Sequence, residues 1–497
     1  MTFDYKNLIV FEMANNHEGD LKHGLRIIEE MARIKQRYNI RAAVKLQYRD
    51  LETIIHPDYR DRKDVKHIPR FLATSLKREE LYTLIMATHD NGMISIVTPF
   101  DERSVDIALN HGVDILKIAS CSCQDWPLLE SICKADKPII CSTGGCKISD
   151  IDKIVTFFEH RKVSNLALLH CIGIYPTENK DQQLQFMRRM MERYPHLAIG
   201  YSGHEAPDNF SVAPAAVAMG AQIMERHVGL PAENIKLNAY SMNPEQAARW
   251  VEVIVAAREL CGNNVPDKHV SETEAVSLRS LMRGVYAKSL IKKGEIITRD
   301  NIFFAMPCQP GQTSSRQYID TMEASKDYQV NEPITEVRRY NPINVMRSVV
   351  HEAKGLLREA RIPIGKDYFI ELSHHYGLDS FRRFGAVIVN VVNREYCKKI
   401  IILLPGQYHP SHAHQRKEET FQVLYGDMEL ELEGEKYNMR PGDIQLVRRG
   451  EHHAFSTKNG VIFEEISTTH LKNDSIYADE QISKLDPAER KNIIEEW

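Results

Sequence analysis

The chain has 497 residues, 43% of them hydrophobic and 27% charged, with 64 basic against 68 acidic side chains and a formal net charge of −4. That length predicts about three domains, and balanced charge without a long single-sign run excludes a nucleic-acid groove or an anionic-membrane patch. No basic-then-apolar leader and no apolar run of the ~20 residues needed for a membrane span occurs, so a cytoplasmic protein with a small-molecule partner is expected.

Residues 1–268 repeat an apolar run, a polar cluster and a stretch of helical period. The eight runs are "NLIVFEM", "AAVKLQ", "ISIVTPF", "ILKIAS", "PIICSTG", "LALLHC", "LAIGYS" and "QIMERHV". Near-continuous Val/Ile/Leu runs fit parallel strands buried on both faces, and eight of them predict an α/β fold, a closed (β/α)8 TIM barrel. "LKHGLRIIEEMARIKQRY" reads as one intervening helix. "PEQAARWVEVIVAARELCG" reads as another, with Pro244 in its first turn and Gly262 at its end. Nine cysteines scattered through apolar runs read as reduced interior thiols, and Cys121 with Cys123 lacks a second pair at metal-ligand spacing.

Each run ends in groups capable of chemistry: Glu12 with Asn15, Asn16 and His17; Lys45 and Gln47; Thr98; Lys117 and Ser120; Ser142 and Thr143; His170; Ser202 and His204; Glu225 and His227. In such barrels the active site lies at the C-terminal strand ends, so these residues are expected on one rim. Lys45 and Lys117 are costly to bury unpaired, which predicts a phosphate or carboxylate ligand; pairing with a protein carboxylate such as Glu12 is the alternative. His204 and His227 close adjacent strands and suit a divalent ion with open positions for water and substrate.

Residues 269–335 change character, with a turn at "IKKGEIIT" and a predicted helix N-cap at "TRDNI", and form a small separate module. A partly helical connector is expected over 336–380. Over 381–497 short alternating strands separated by "YGD", "EGE" and "RPGD" turns predict an antiparallel all-β barrel. There Gly406, His412, His414, Glu419 and Gly426 spell G(x5)HxH(x4)E(x6)G, and His453 follows in a second half-motif with Gly442 and Gly450. Three histidines and a glutamate converging inside a barrel make a metal site, with Mn2+, Zn2+, Fe2+ or Ni2+ compatible.

The motifs "FEMANNHEGDL", "VKLQ", "TPFDERSVD", "LKIASCS", "PIICSTGG", "LLHCIGIYPT", "IGYSGHE", "MERHV" and "YSMNP" resemble, in order and spacing, the sialic acid (N-acetylneuraminate) synthase family. "LIKKGEIITRDNI" is similar to that family's antifreeze-like (SAF, β-clip) domain, and the C-terminal motifs resemble the sugar-isomerase cupins. The resemblance implies a synthase that condenses phosphoenolpyruvate with an aldose, N-acylated or not, to give a nonulosonic acid. It implies that Lys45, Gln47, Thr98, Lys117, Ser120, Ser142, Tyr175 and Ser202 hold phosphoenolpyruvate. His204 and His227 then hold a divalent metal, Mn2+ or else Mg2+ or Co2+, and Glu12 stands beside the reacting carbons. It also implies a domain-swapped homodimer.

Three departures bear on the substrate. Ser122 stands where a catalytic glutamate is common, Gly173 replaces an asparagine, and Met306 replaces the arginine that binds an N-acetyl group across subunits. A non-standard acceptor is therefore expected. A legionaminic- or pseudaminic-type or other 3-deoxy-ulosonic acid synthase, a Schiff-base aldolase or isomerase using Lys117, and a catalytically decayed sugar-binding regulator stand as alternatives. The cupin is expected to act as a sugar isomerase or sensor.

Overall fold

The computed structural model describes residues 3–62, 64–262, 268–320, 322–338, 342–366, 368–471, 473–486 and 488–494. The chain divides into two compact units at residues 267 and 268. In the first, eight parallel strands close into a barrel in chain order. They are β1 (Leu8–Glu12), β2 (Ala42–Tyr48), β3 (Ile94–Pro99), β4 (Ile115–Ile118), β5 (Ile139–Ser142), β6 (Leu166–Cys171), β7 (Ala198–Gly203) and β8 (Ile223–His227). Each predicted apolar run supplies one strand.

Side chains alternate across a strand, and two separate cores show it. Leu8, Val10, Ala43, Ile96, Ile115, Ile140, Leu169 and Ile223 fill the barrel interior. Their neighbours Ile9, Phe11, Val44, Val97, Leu116, Leu168 and Met224 pack outward under the helices. The inward parity carries upward to Glu12, Lys45, Gln47, Thr98, Lys117, Ser142, Ser202, Glu225 and His227. Gly200 shares it, and a Cβ there would lie 2.5 Å from the Ile223 carbonyl oxygen.

The helix Leu21–Tyr38 starts where the Asp20 carboxylate accepts the Lys22 N–H, and it stops at Asn39 in the left-handed region. Asn243 and Gln246 cap Pro244–Cys261 reciprocally, and Gly262 ends it at φ 67°.

The second unit begins with the helix Glu272–Leu281, followed by a small β module. In the module Gly284–Ala287 pairs with Ile302–Ala305, and Ile296–Ile297 with Met322–Ala324. The helix predicted to start at "TRDNI" is absent. The Asn301 side chain accepts the Thr298 N–H at 2.9 Å, closing a turn that leads into the Ile302–Ala305 strand instead.

The remainder is mainly β, with seven- and five-stranded sheets. From Pro342 the stretch expected as a connector belongs to this body, whereas Val337–Arg338 still pairs with Met322–Ala324 of the small module. Helix Pro342–Glu359 places Val349, Ala353 and Leu357 against Ile370, Leu372, Val387 and Ile402. Strand Phe369–His374 pairs with Gly385–Asn393, because its alternate residues Ile370 and Leu372 complete that core. All nine cysteines are free. Among the described residues no helix is long and apolar enough to cross a membrane.

Candidate active site

Register places the barrel's charged groups together, with Glu12 opposite Lys45 and Ser202 opposite Glu225. Lys45 Nζ lies 2.5 Å from Glu12 Oε2 and 2.6 Å from Glu225 Oε1. Lys117 Nζ lies 3.5 Å from the same Glu225 oxygen, to which Ser202 Oγ donates at 2.8 Å. Glu12 Oε1 in turn accepts the Ala14 N–H at 2.6 Å and the Gln47 amide at 3.5 Å. The alternative reading of these lysines, pairing with protein carboxylates such as Glu12, is what the structure shows. Two buried lysines face two buried carboxylates, so the protein supplies their partners itself, although burial pushes Lys45 down to about 7 even against the pull of Glu225.

Burial would raise the Glu225 carboxyl, but Lys117 and Lys45 hold it well below the usual carboxylate range. Burial opposes charge on Lys117, yet Glu225 more than offsets it and keeps the ammonium. Four hydrogen-bonding atoms around the cluster are left unsatisfied, one of them a carboxylate oxygen. Thr98 Oγ1, Ser142 Oγ, Glu225 Oε2 and His227 Nδ1 are buried with no hydrogen-bond partner in the protein. Such atoms cost about 1–3 kcal/mol each when left unmet, and a polar ligand over the rim would meet them.

Several other rim candidates take different places. His170 has outward parity, and its Nε2 lies 2.8 Å from the Gln182 carbonyl, so it holds a loop rather than the mouth. Asn16 donates to the Val228 carbonyl and Ser241 Oγ, and Thr143 to the Leu169 carbonyl, both as loop fasteners. Ser120 Oγ accepts the Gly144 N–H at 3.0 Å, joining the loops after β4 and β5. Ser122 is buried in the same turn as Ser120, beside Cys121 rather than in the charged cluster. His17 and Asn15 line a small pocket at the mouth.

His204 and His227 stand side by side with ring centroids 5.4 Å apart. Tyr175, read as a phosphoenolpyruvate ligand, is exposed, with its ring 4.2 Å from His204 and 5.1 Å from Tyr240. Tyr240 also approaches His227 at 5.0 Å, and this aromatic wall was not legible as part of the site. The Ile172 carbonyl, 3.0 Å from His204 Nδ1, fixes that ring with Nε2 available. Burial pushes His204 down to about 4 and His227 well below its ordinary value, so both are neutral, as metal ligation requires. Two neutral imidazoles, one with an orphaned buried nitrogen, fit a divalent ion.

The group of three metal-capable side chains found among the described residues lies in the mainly β body: His412, His414 and His453, with ligand atoms within 4.8 Å of one another. His412 faces His453 in register. Their Nδ1 atoms lie 3.1 and 3.2 Å from the Pro410 and Glu451 carbonyls, which turns both Nε2 atoms inward. Glu419 closes the set, 3.1 Å from His453 Nε2 and 3.4 Å from His414 Nε2. Burial pushes His414 down to about 4. Burial would raise Glu419, but Lys417 and the histidines hold it well below its ordinary value. Burial likewise holds His412 well below its ordinary value, so His412 and His414 are neutral and Glu419 ionised, as a divalent-metal site requires. Lys417, in contact with Glu419 and 3.0 Å from Glu465, shares the cavity and had no signal in the sequence beyond the motif around it.

The NeuB family pattern matches residues 34–266, and the cupin domain pattern matches residues 399–462. An uncharacterized protein of Methanocaldococcus jannaschii, MJ1065, is 31% identical over 63% of this chain and 87% of its own length. The N,N'-diacetyllegionaminic acid synthase of Campylobacter jejuni is 27% identical over 67% of this chain and 99% of its own. The solved structure named for spore coat polysaccharide biosynthesis protein E of Chromobacterium violaceum is 41% identical, covers 67% of this chain and 100% of its own, and superposes with a TM-score of 0.65. With a closed eight-stranded barrel, family motifs at its strand ends and relatives matched over nearly their whole length, this chain belongs to the NeuB family.

Proposed function

We propose that the barrel condenses phosphoenolpyruvate with an aldose and water to give a nonulosonic-type 2-keto-3-deoxy sugar acid and phosphate, with cleavage of the C–O bond. The chain is a transferase of the synthase type for which its relatives are named. The observation that carries the reading is the set of unsatisfied buried polar atoms on Thr98, Ser142 and His227 at the strand ends that also carry the Lys45–Glu12–Glu225–Lys117 cluster. Phosphoenolpyruvate is held by Lys45, Gln47, Thr98, Lys117, Ser120, Ser142, Tyr175 and Ser202. Its phosphate draws the lysines from their carboxylates, and Glu12, fixed by Ala14 N–H and Gln47, takes the proton of the water that adds at C2. A divalent ion on His204 and His227, Mn2+ before Mg2+ or Co2+, supplies Lewis acidity at the acceptor aldehyde. Lys117 is kept as an ammonium by Glu225 and is a poor Schiff-base nucleophile, which argues against the aldolase reading.

The cupin is read as a metal-dependent sugar isomerase or sensor, with Mn2+, Zn2+, Fe2+ or Ni2+ on His412, His414, Glu419 and His453. The small module is read as an antifreeze-like domain closing the partner's site in a swapped homodimer. Its Met306 is exposed, in keeping with an acceptor that does not need the usual N-acetyl contact. The first test is product formation and phosphate release from phosphoenolpyruvate with Mn2+, across N-acetylmannosamine, its 6-phosphate, diacetylated 6-deoxyhexoses and non-acylated aldoses. Release with one acceptor is expected. A borohydride-trapped adduct on Lys117, or binding of phosphoenolpyruvate with no release for any acceptor, overturns the reading.

A further inference from the structure

The parity that turns Lys45 and Gln47 into the barrel continues to Arg49, one residue beyond the end of β2. Arg49 Nη2 donates to Gln47 Oε1 at 2.7 Å, and Gln47 reaches Glu12 on its other side. The guanidinium lies between two phenyl rings, 4.1 Å from the Phe71 centroid and 3.8 Å from that of Phe100. Stacked on both faces, it keeps a fixed orientation and presents its N–H edge. It lines a small pocket at the barrel mouth with Asn15, His17, Gln47, Thr74 and Ser75.

The charge pattern of this pocket differs from that of the lysine cluster. No carboxylate is among its lining residues. Among the described residues none forms an ion pair with Arg49, and Cys121 and, less, Asp101 act on it without a hydrogen bond. Burial pushes Arg49 down to about 10, which leaves it charged at neutral pH. Burial likewise pushes His17 down to about 4, so it adds no charge. The nearby Arg70 is already paired, 2.9 Å from Glu18. Lys45 and Lys117 have their counter-ions, whereas Arg49 is a fixed, partly desolvated cation with open donors and none. Guanidinium in this setting matches the two-oxygen edge of a carboxylate or phosphate.

We propose that Arg49 binds an anionic substituent of the sugar acceptor, a phosphate monoester or a carboxylate, and so selects a charged acceptor over its neutral counterpart. The proposal rests on the barrel being the condensing site. Arg49 stands on the outer side of Gln47, away from Lys45 and Lys117, which assigns it to the acceptor rather than to phosphoenolpyruvate.

The test uses full-length protein with Mn2+ and compares binding of N-acetylmannosamine 6-phosphate, N-acetylmannosamine and phosphoenolpyruvate to wild type, Arg49→Met and Arg49→Lys by calorimetry. Wild type is expected to prefer the phosphorylated sugar by about tenfold or more, the scale of one charge-assisted contact. Arg49→Met removes that preference at unchanged melting temperature, Arg49→Lys keeps part of it, and the dissociation constant for phosphoenolpyruvate stays within about twofold. Equal binding of the two sugars by wild type, or weakened phosphoenolpyruvate binding in Arg49→Met, overturns the proposal. Because these are binding measurements, a failed condensation assay beside a preserved Arg49-dependent preference would remove the reaction and leave the anion pocket standing.

Discussion

Glu225 shares one carboxylate oxygen between Lys45 and Lys117, and the Ser202 hydroxyl binds that oxygen as well. Removing one partner of a buried ionic cluster strands the others, so Glu225→Gln is expected to cost about 3–5 kcal/mol at neutral pH, read from chemical denaturation. The pH dependence has a definite sign. The folded carboxyl titrates below its ordinary value of 4.5, so its stabilisation is present above about that pH and is lost as the pH falls below it. The acid limb of the wild-type stability profile should therefore be steeper than that of Glu225→Gln; coincident limbs would mean that the carboxylate is not held down by the lysines. None of the three residues is unusual in sequence. Their meeting depends on the stagger of β2, β4 and β8.

At the scale of single strands, β7 shows how close packing sets the choice of residue. Gly200 points inward between Ala198 and Ser202, and a Cβ would meet the Ile223 carbonyl oxygen at 2.5 Å and Leu169 Cδ2 at 2.7 Å. The carbonyl is backbone and cannot rotate away. Gly200→Ala should cost about 1–3 kcal/mol and lower the melting temperature of the N-terminal unit, whereas a neutral outcome would mean that β8 shifts freely. The cupin strands show the opposite limit of legibility. Tyr408–His414 carries two of the ligands yet has no apolar alternation, because His409, His412 and His414 are themselves the buried face. Periodicity therefore passed it over, although the spacing of HxH marked its chemistry.

In the whole molecule, the barrel and the C-terminal body each have separate cores. Independent units melt independently unless a large interface couples them. His412→Ala, or chelation, should lower one of two calorimetric transitions by several degrees, because bound metal stabilises only the unit that holds it. In the same variant, ketose conversion by the full-length protein should be lost while phosphate release by the barrel persists. Loss of both activities, or no change in either transition, would contradict two sites that work separately.

The sequence by itself determined the eight strands, their order, the two best-defined helix boundaries and the spacing of the candidate ligand histidines, because hydrophobic period, caps and motif spacing are local properties of the chain. It also carried the family, through motifs at successive strand ends. Only the tertiary structure decided how charges are shared. Lys45 and Lys117 looked equally in need of a ligand, yet Glu12 and Glu225, distant in sequence, neutralise them. His170 looked like a rim group, and strand parity turned it elsewhere. Arg49, one of many arginines in the chain, is distinguished by what surrounds it: two phenyl rings and no carboxylate. Pairing and burial are sums over long-range neighbours, which spacing along one chain does not encode.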